Sequence, residues 1–224
     1  MRLRPELARR PWPSMNHREV TAELVLEGWV PCGLGDWAMA LRSPDGSMAA
    51  RVCPFDPAYA AFTELCRRLP DNPYLPRVVL DTPLEGGGTL AVLEFLAPLE
   101  QARAEEVARQ WREGGGEAAL AEVRRAAAEV DAECRATVPW WDGVDLNPGN
   151  VRRALDGRIV LIDVFCMDGA ALYAQILEDA AVVSDRISGT RYVLDIPYIA
   201  RESTPEEIQA LRDALTASRS PTAR

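Results

Sequence analysis

Three short apolar runs alternate with turn-forming residues in the first quarter of the chain. They cover residues 24–31, 37–41 and 48–53, and the dipeptide Asp45-Gly46 stands in the second turn. Asp-Gly between apolar runs favours a tight hairpin, and runs of this length bounded by Gly, Pro and Asp are typical of strands. The pattern therefore predicts two or three antiparallel strands.

A helical period replaces this pattern after the third run. Asp56-Pro57 supplies an N-cap and a first-turn proline, and apolar side chains then recur every three or four residues until Pro70. Two further apolar runs, at 75–80 and 89–96, flank a triple-glycine turn. The first part of the chain is therefore predicted to be a sheet with one inserted helix.

The rest of the chain is predicted to be mostly helical. Ala, Glu and Arg become frequent beyond Pro98, and all three favour helices. A short hairpin around Asp156-Gly157 interrupts this part. The predicted helices cover residues 103–112, 117–135, 172–187 and 205–217.

Length and composition fit a folded α+β protein of two lobes. The 224 residues, 48% of them hydrophobic and 26% charged, are enough for one large domain or two small lobes. The shift in composition near Pro98 marks the boundary between them. We expect an irregular Arg-rich arm at 1–18, a small antiparallel sheet lobe at 19–97 and a compact, mostly helical lobe at 98–224.

The net charge, the hydrophobicity pattern and the cysteine spacing indicate which classes of partner and which cellular compartment to expect. A net charge of −9 argues against a nucleic-acid binder that depends on phosphate neutralisation. No apolar run reaches the roughly 18 residues that a membrane span needs, and the five cysteines form no close pair. We therefore expect a cytoplasmic protein with reduced thiols and with neither nucleic-acid nor membrane partners.

All 25 basic residues are Arg, and His17 is the one histidine. Without Lys, Schiff-base chemistry, a P-loop lysine and a Ser-Lys dyad are excluded. A single imidazole excludes a zinc site built on several histidines. His17 lies in a polar stretch, where we expect it to be solvated.

Three oxygen-bearing side chains surround the hairpin of the second lobe. Asp145 is followed five residues later by Asn150, and Asp163 comes after the apolar run that ends the hairpin. Such a set suits Mg²⁺, with one carboxylate left to orient a hydroxyl nucleophile. A polar loop beside a hairpin is the alternative, since Asp and Asn are common in loops.

The same residues give the chain a resemblance to the protein-kinase-like superfamily, particularly to its aminoglycoside phosphotransferase and bacterial or phage kinase-like branches. Asp145-Leu146 with Asn150 resembles the catalytic loop D-L-x-x-x-N, and Asp163 lies where the metal-binding Asp of the D-F-G motif is expected. The resemblance covers roughly residues 25–187. It implies Asp145 as catalytic base and Asn150 and Asp163 as Mg²⁺ ligands.

The first lobe carries further parts of the resemblance. Gly33 and Gly35 resemble the loop that covers the phosphates, and Arg51 stands in place of the phosphate-pairing Lys. The resemblance gives Arg51 a partner in Glu64, although the helical wheel allows a surface position for Glu64 equally. Leu93-Glu94-Phe95 resembles the hinge that holds adenine, which implies cofactor contacts at Glu94 and Phe95.

The resemblance implies an ATP- and Mg²⁺-dependent phosphotransferase that moves the γ-phosphoryl group to a hydroxyl of a protein or small molecule. Three positions depart from the family pattern: Gly143 replaces a histidine, Val164-Phe165 replaces Phe-Gly, and Asn147 matches neither branch. These departures leave two alternatives, a pseudokinase that binds nucleotide or a partner without turnover, and a purely structural protein.

Overall fold

The computed structural model describes residues 3–186 and 191–218. Its first lobe contains two helices, three strands, a third helix and two more strands. In chain order they are α1 (Pro5–Ala8), α2 (His17–Leu26), β1 (Val30–Leu34), β2 (Met39–Arg42), β3 (Met48–Cys53), α3 (Pro57–Arg68), β4 (Val78–Pro83) and β5 (Thr89–Glu94). Within the described residues, the strands form an antiparallel sheet in the order β1-β2-β3-β5-β4. The predicted sheet with an inserted helix is thus confirmed.

One face of this sheet builds the core of the first lobe. Leu41, Ala50 and Leu90 come from three neighbouring strands and are fully buried. They pack with Val20 and Leu24 of α2. Because side chains alternate between the faces of a strand, the opposite face is left for the cleft described below.

From residue 3 onwards the N-terminal arm forms two short helical segments that pack on the first lobe, where the sequence predicted an irregular segment. Leu7 and Trp12 are 1% and 2% exposed and join the core of the first lobe. Asn16 and Glu19 form a capping box that starts α2, a signal that the prediction overlooked. Pro5 does not disturb α1 because it lies at the start of the helix, where its missing N–H is not needed.

The second lobe is helical around two small antiparallel sheets. Its elements are β6 (Leu96–Pro98), α4 (Gln101–Glu113), α5 (Ala118–Thr137), β7 (Trp141–Val144), β8 (Val151–Ala154), β9 (Ile159–Leu161), β10 (Phe165–Met167), α6 (Gly169–Glu178), α7 (Ala180–Arg186), α8 (Pro197–Glu202) and α9 (Pro205–Ser218). β6, β8 and β9 form one sheet, and β7 pairs with β10. No helix among the described residues is long and apolar enough to cross a membrane.

The helix predicted over 172–187 is divided in two at Asp179. The backbone of Asp179 is extended, and its carboxylate accepts hydrogen bonds from the N–H groups of Ala181 and Val182. An Asp that caps a new helix in this way competes with continuation of the old one. Residue 187 itself lies outside the described residues.

Helix α3 joins the two lobes. Phe62 and Leu65 are fully buried, and they share one apolar core with Val123 and Ala127 of α5. Arg68 at the end of α3 also forms an ion pair with Glu133 of α5 at 2.7 Å. The lobes are therefore connected by packing as well as by the chain.

A C-terminal strap, residues 191–202, binds the second lobe back to the first. Asp195 accepts two hydrogen bonds from Arg18, at 2.7 and 2.8 Å, and lies 3.0 Å from Nε2 of His17. His17 also packs edge-on against Tyr192, and only 12% of its side chain is exposed, whereas the sequence predicted a solvated residue. Burial lowers the pKa of His17, although Asp195 opposes the effect.

The strap depends on the missing side chain of Gly86. A Cβ at this position would collide with the ring of Tyr192, and the backbone there has φ +76°. Gly157 offers a matched control because it has φ +91° but open space around the position of a Cβ. We expect Gly157→Ala to cost about 1–2 kcal/mol of the free energy of unfolding from backbone strain alone.

Gly86→Ala should cost about 1–3 kcal/mol more than Gly157→Ala, because the Tyr192 ring must move. Urea unfolding of the two variants measures the difference. In a Tyr192→Ala background, Gly86→Ala should cost no more than Gly157→Ala, because the ring that the new Cβ would meet is absent. Equal losses in the two glycine variants would contradict the docking of the strap on this turn.

Candidate functional site

A cleft of about 590 Å³ lies between the five-stranded sheet and the second lobe. Its walls come from β1 to β3, from the segment after β5, from β8 and from the loops that carry the polar residues of the second lobe. Of the residues predicted from the sequence, the cleft brings together Gly33, Gly35, Arg51, Glu94, Phe95, Asp145, Asn150 and Asp163. Glu64 is the predicted residue that does not line it.

Arg51 is a largely buried cation in this cleft, with 13% of its side chain exposed. Its guanidinium forms an ion pair with Asp56, lies 3.8 Å from the ring centre of Tyr59, and has Nη2 4.0 Å from Oδ1 of Asp163. Burial alone would lower the pKa of Arg51, but Asp56 and Asp163 raise it above its ordinary value. The guanidinium therefore stays charged.

One nitrogen of this guanidinium has no partner. Nη1 of Arg51 is buried and makes no hydrogen bond within the described residues. A buried N–H donor without a protein acceptor is costly, so this group is available to an oxygen that enters the cleft, whether of water or of a ligand. The charge and the free donor fit an anionic oxygen.

Glu64 is not the partner of Arg51. It forms ion pairs with Arg67 and Arg68 on the outer face of α3. The helical wheel explains this position, since Glu64 lies opposite the apolar side chains Phe62 and Cys66 that face the core. Glu64 therefore has the surface position that the helical wheel allowed.

Asp56 is the partner of Arg51, the role that the resemblance assigned to Glu64. One carboxylate oxygen of Asp56 accepts a hydrogen bond from the N–H of Tyr59 at 3.1 Å, which caps α3, and the other pairs with Arg51. The sequence identified Asp56 only as an N-cap. Its distance of five residues from Arg51, across a strand-to-helix turn, is the signal that could have revealed the pair.

Hydrogen bonds to backbone carbonyls hold Asp145, Asn150 and Asp163 together. The N–H of Asp145 donates to the carbonyl of Val164 at 2.9 Å, and the side-chain amide of Asn150 donates to the carbonyl of Asp163 at 3.0 Å. Ile162 donates to the carbonyl of Asn150 at 2.9 Å. The loop with Asp145 and Asn150 is thereby fixed to the end of the hairpin that carries Asp163.

Asp163 has a strained backbone, and burial destabilises its ionised carboxylate. Its φ of +53° is in the left-handed region, which is uncommon for a residue with a side chain. Burial raises the pKa of Asp163 to about 6, although Arg51 opposes the shift. With 38% of the side chain exposed to the cleft, water moderates the effect.

The donor set is suitable for Mg²⁺ that arrives together with phosphate oxygens. The carboxylate of Asp163 and the amide oxygen of Asn150 are hard ligands, and Asn150 uses its amide nitrogen, not this oxygen, to bind the carbonyl of Asp163. Among residues 3–186 and 191–218, no group of three or more His, Cys, Asp or Glu is placed to hold a metal alone. Such sites commonly complete Mg²⁺ coordination with substrate oxygens and water.

Gly33, near the end of β1, and Gly35, in the loop that follows it, are not required by the protein itself. A Cβ on Gly33 or Gly35 would meet its nearest neighbour at an ordinary 3.8 or 3.7 Å, and neither residue has a left-handed φ. Glycine here therefore leaves room for something outside the chain. The tip of the loop is bound by the strap, because Asp36 accepts hydrogen bonds from the N–H of Tyr198 and from Arg201 at 2.7 and 2.5 Å.

The hinge segment uses its N–H groups within the protein. Glu94 and Phe95 donate them to the carbonyls of Arg77 and Ser47, at 3.1 and 2.8 Å. The buried carboxylate of Glu94 pairs with Arg158 at 2.6 Å, which ties the hinge to the second lobe. A base in the cleft therefore cannot receive hydrogen bonds from these two N–H groups.

The five-stranded sheet with α3 inserted between β3 and β4, followed by the mostly helical second lobe, gives the chain an α+β fold of two lobes. No family model matches the sequence, and no curated protein matches it. Solved structures of kinase-like proteins do resemble the chain.

An aminoglycoside phosphotransferase from Streptomyces rimosus is 15% identical, with a TM-score of 0.38 over 90% of this chain and 99% of its own. A pseudokinase solved without ligand is 9% identical, with a TM-score of 0.38 over 91% and 88% of the two chains. The PknI kinase domain of Mycobacterium tuberculosis is 17% identical, with a TM-score of 0.30 over 85% and 94%. Likeness at this level carries no argument about activity.

The raised pKa of Asp163 predicts how the stability of the ligand-free protein depends on pH. Because the pKa of about 6 in the folded protein exceeds the ordinary 3.8, the ionised carboxylate destabilises the native state above pH 6. This penalty disappears as the pH falls through 6 towards 4. Asp163→Asn should therefore raise the melting temperature at pH 8 and have no such effect near pH 4.

Thermal melts of the ligand-free protein between pH 4 and 8 measure this difference. Asp71→Asn is the control, because Asp71 is exposed and lies outside the cleft. A variant at 163 whose stability tracks the parent at every pH would show that this carboxylate is not destabilised by its surroundings.

Proposed function

We propose that the protein is an ATP- and Mg²⁺-dependent phosphotransferase that moves the γ-phosphoryl group to a hydroxyl of a protein or a small molecule. The observation that carries this proposal is the buried, charged Arg51 with its free Nη1, which lies in one cleft with Asp163, Asn150 and the glycine loop. Phosphoryl transfer depends mainly on positioning and electrostatic stabilisation, and this set provides both.

Each residue has a distinct part in the proposed reaction. Arg51 neutralises phosphate oxygens, while Gly33 and Gly35 let the backbone of the β1–β2 loop approach them. Asn150 and Asp163 hold Mg²⁺, which when bound withdraws charge from the phosphates.

Asp145 orients the acceptor hydroxyl and takes its proton. The hydroxyl oxygen bonds to the γ-phosphorus, the bond from that phosphorus to the bridging oxygen breaks, and ADP leaves. Asp145 is exposed at the mouth of the cleft, where an acceptor can reach it.

Arg51→Lys should weaken nucleotide binding although the charge is retained, because an ammonium does not reproduce the planar fork of the guanidinium. Arg51→Ala should weaken it more, by roughly 1.5–3 kcal/mol, or about ten- to more than a hundredfold. Titration calorimetry with ATP and Mg²⁺ gives both values.

Arg67→Ala is the control for a lost arginine in the same lobe, since Arg67 is exposed on α3. Because Arg51→Ala leaves Asp56 buried without its partner, the ligand-free melting temperature must be recorded beside each affinity. Nucleotide affinities equal to the parent in both folded variants would remove Arg51 from the phosphate site.

A pseudokinase is the second candidate, and the surroundings of Gly143 favour it. The catalytic loop begins here without the histidine typical of the family. A Cβ at Gly143 would collide with the guanidinium of Arg135, which also donates to the carbonyl of Asp142 at 3.3 Å. No side chain from this position can therefore brace the loop that carries Asp145.

Asp145→Asn separates the two candidates. In a phosphotransferase it should lower the rate of ADP formation at least about a hundredfold and leave the stabilisation by ATP and Mg²⁺ unchanged, because it removes a base and not a ligand. Asp142→Asn, an exposed neighbour, is the control. Binding without any ADP formation by the parent, over a panel of hydroxyl acceptors, would favour the pseudokinase.

A further inference from the structure

The aromatic ring of Tyr59 is a contact surface for the guanidinium of Arg51. The central carbon of the guanidinium lies over the ring, 3.8 Å from its centre, and both residues line the cleft. Carbon atoms in contact are roughly 3.5–4.0 Å apart, so the cation and the face of the ring touch. A cation over an aromatic face is attracted electrostatically, and more strongly where water is excluded.

The Tyr59 ring is itself held firmly in place. Tyr59 is only 4% exposed, and its ring packs at a tilt against Phe62 with the two centres 5.3 Å apart. Its backbone is fixed as well, because its N–H donates to the carboxylate of Asp56, the N-cap of α3, at 3.1 Å. A close-packed interior keeps such a side chain in one rotamer. Arg51 therefore rests on a rigid surface.

Tyr59 constrains Arg51 in two ways, directly through its ring and indirectly through Asp56. One carboxylate oxygen of Asp56 accepts the N–H of Tyr59, and the other pairs with Nη2 of Arg51. A flat group with one face against a ring and one corner in an ion pair has little freedom left to rotate. The other terminal nitrogen, Nη1, has no acceptor among the described residues. Its orientation is therefore set before any ligand enters the cleft.

We infer that Tyr59 is a positioning residue, whose ring fixes the orientation in which Nη1 of Arg51 meets the phosphate oxygens. This inference rests on the proposed function, because it assumes that a polyphosphate enters the cleft beside Arg51. Ordering a long side chain during binding lowers affinity, and here the ordering is already done. Only a flat guanidinium can place its face on a ring and keep an edge for oxygen, which accounts for Arg where the family pattern has Lys.

Two variants of Tyr59 and one matched control test this role. Tyr59→Leu removes the ring but keeps the backbone N–H that holds Asp56, whereas Tyr59→Phe keeps the ring and removes the hydroxyl. Tyr74→Leu is the control, because Tyr74 is a half-buried tyrosine that does not line the cleft. Tyr59→Leu is also made in an Arg51→Gln background, which keeps a hydrogen-bond donor for Asp56 but carries no charge.

Titration calorimetry measures the affinity of each folded variant for inorganic tripolyphosphate and for ATP, both with Mg²⁺. Tyr59→Leu should weaken both probes about 3- to 20-fold. Tyr59→Phe should retain most of the parent affinity, and Tyr74→Leu should bind like the parent. In the Arg51→Gln background, Tyr59→Leu should cause no further loss, because no guanidinium is left to position. Ligand-free melting temperatures identify the folded variants, and Tyr59→Met replaces Tyr59→Leu if the latter fails to fold.

Three results would overturn the inference while the proposed function stands. The first is a Tyr59→Leu variant that binds both probes as tightly as the parent. The second is an equal loss from Tyr59→Leu with and without Arg51, which would make the ring a general support of the cleft. The third is a loss from Tyr59→Phe as large as that from Tyr59→Leu, which would make the hydroxyl a ligand contact. A parent that binds neither probe would instead overturn the proposed function, and the inference with it.

Discussion

The ion pair between Arg51 and Asp56 is the interaction on which the cleft depends. Arg51 comes from the middle of the sheet and Asp56 is the N-cap of α3, so the pair fixes the sheet lobe to the helix that joins both lobes. A buried charge needs a partner of opposite charge, and Asp56 provides one that is itself almost fully buried. Asp163 completes the arrangement at 4.0 Å, which links the pair to the second lobe.

The strap, residues 191–202, makes the positions of several segments of the first lobe depend on the C-terminal part of the chain. It contacts α2 through Asp195, the β4–β5 turn through Tyr192 and the glycine loop through Tyr198. The loop that borders the cleft is therefore not a free hairpin tip. Its position depends on residues more than 150 positions later in the chain, as the pairing of Arg201 with Asp36 illustrates.

The sequence was sufficient for elements with strong local signals and insufficient for contacts between distant segments. The strands around Asp45-Gly46 and the helix capped by Asp56 were predicted because turn and cap chemistry is local. The burial of His17 was not predictable, since it depends on Asp195 and Tyr192. In the cleft, motif spacing indicated which residues come together, and the helical wheel allowed the outward position of Glu64, but the pairing of Asp56 with Arg51 was missed.

The replacement of Glu64 by Asp56 changes how such a cleft can be controlled. In protein kinases the phosphate-pairing Lys bonds to a Glu within the helix, so movement of that helix makes or breaks the pair. Here the carboxylate is at the helix N-cap, five residues from Arg51, and the same side chain also starts the helix through Tyr59. A tilt of α3 that pivots near its N-terminus moves the later turns of the helix far more than its cap. The Arg51 pair can therefore persist through a tilt of this kind, because Asp56 holds Arg51 at the end of the helix that moves least.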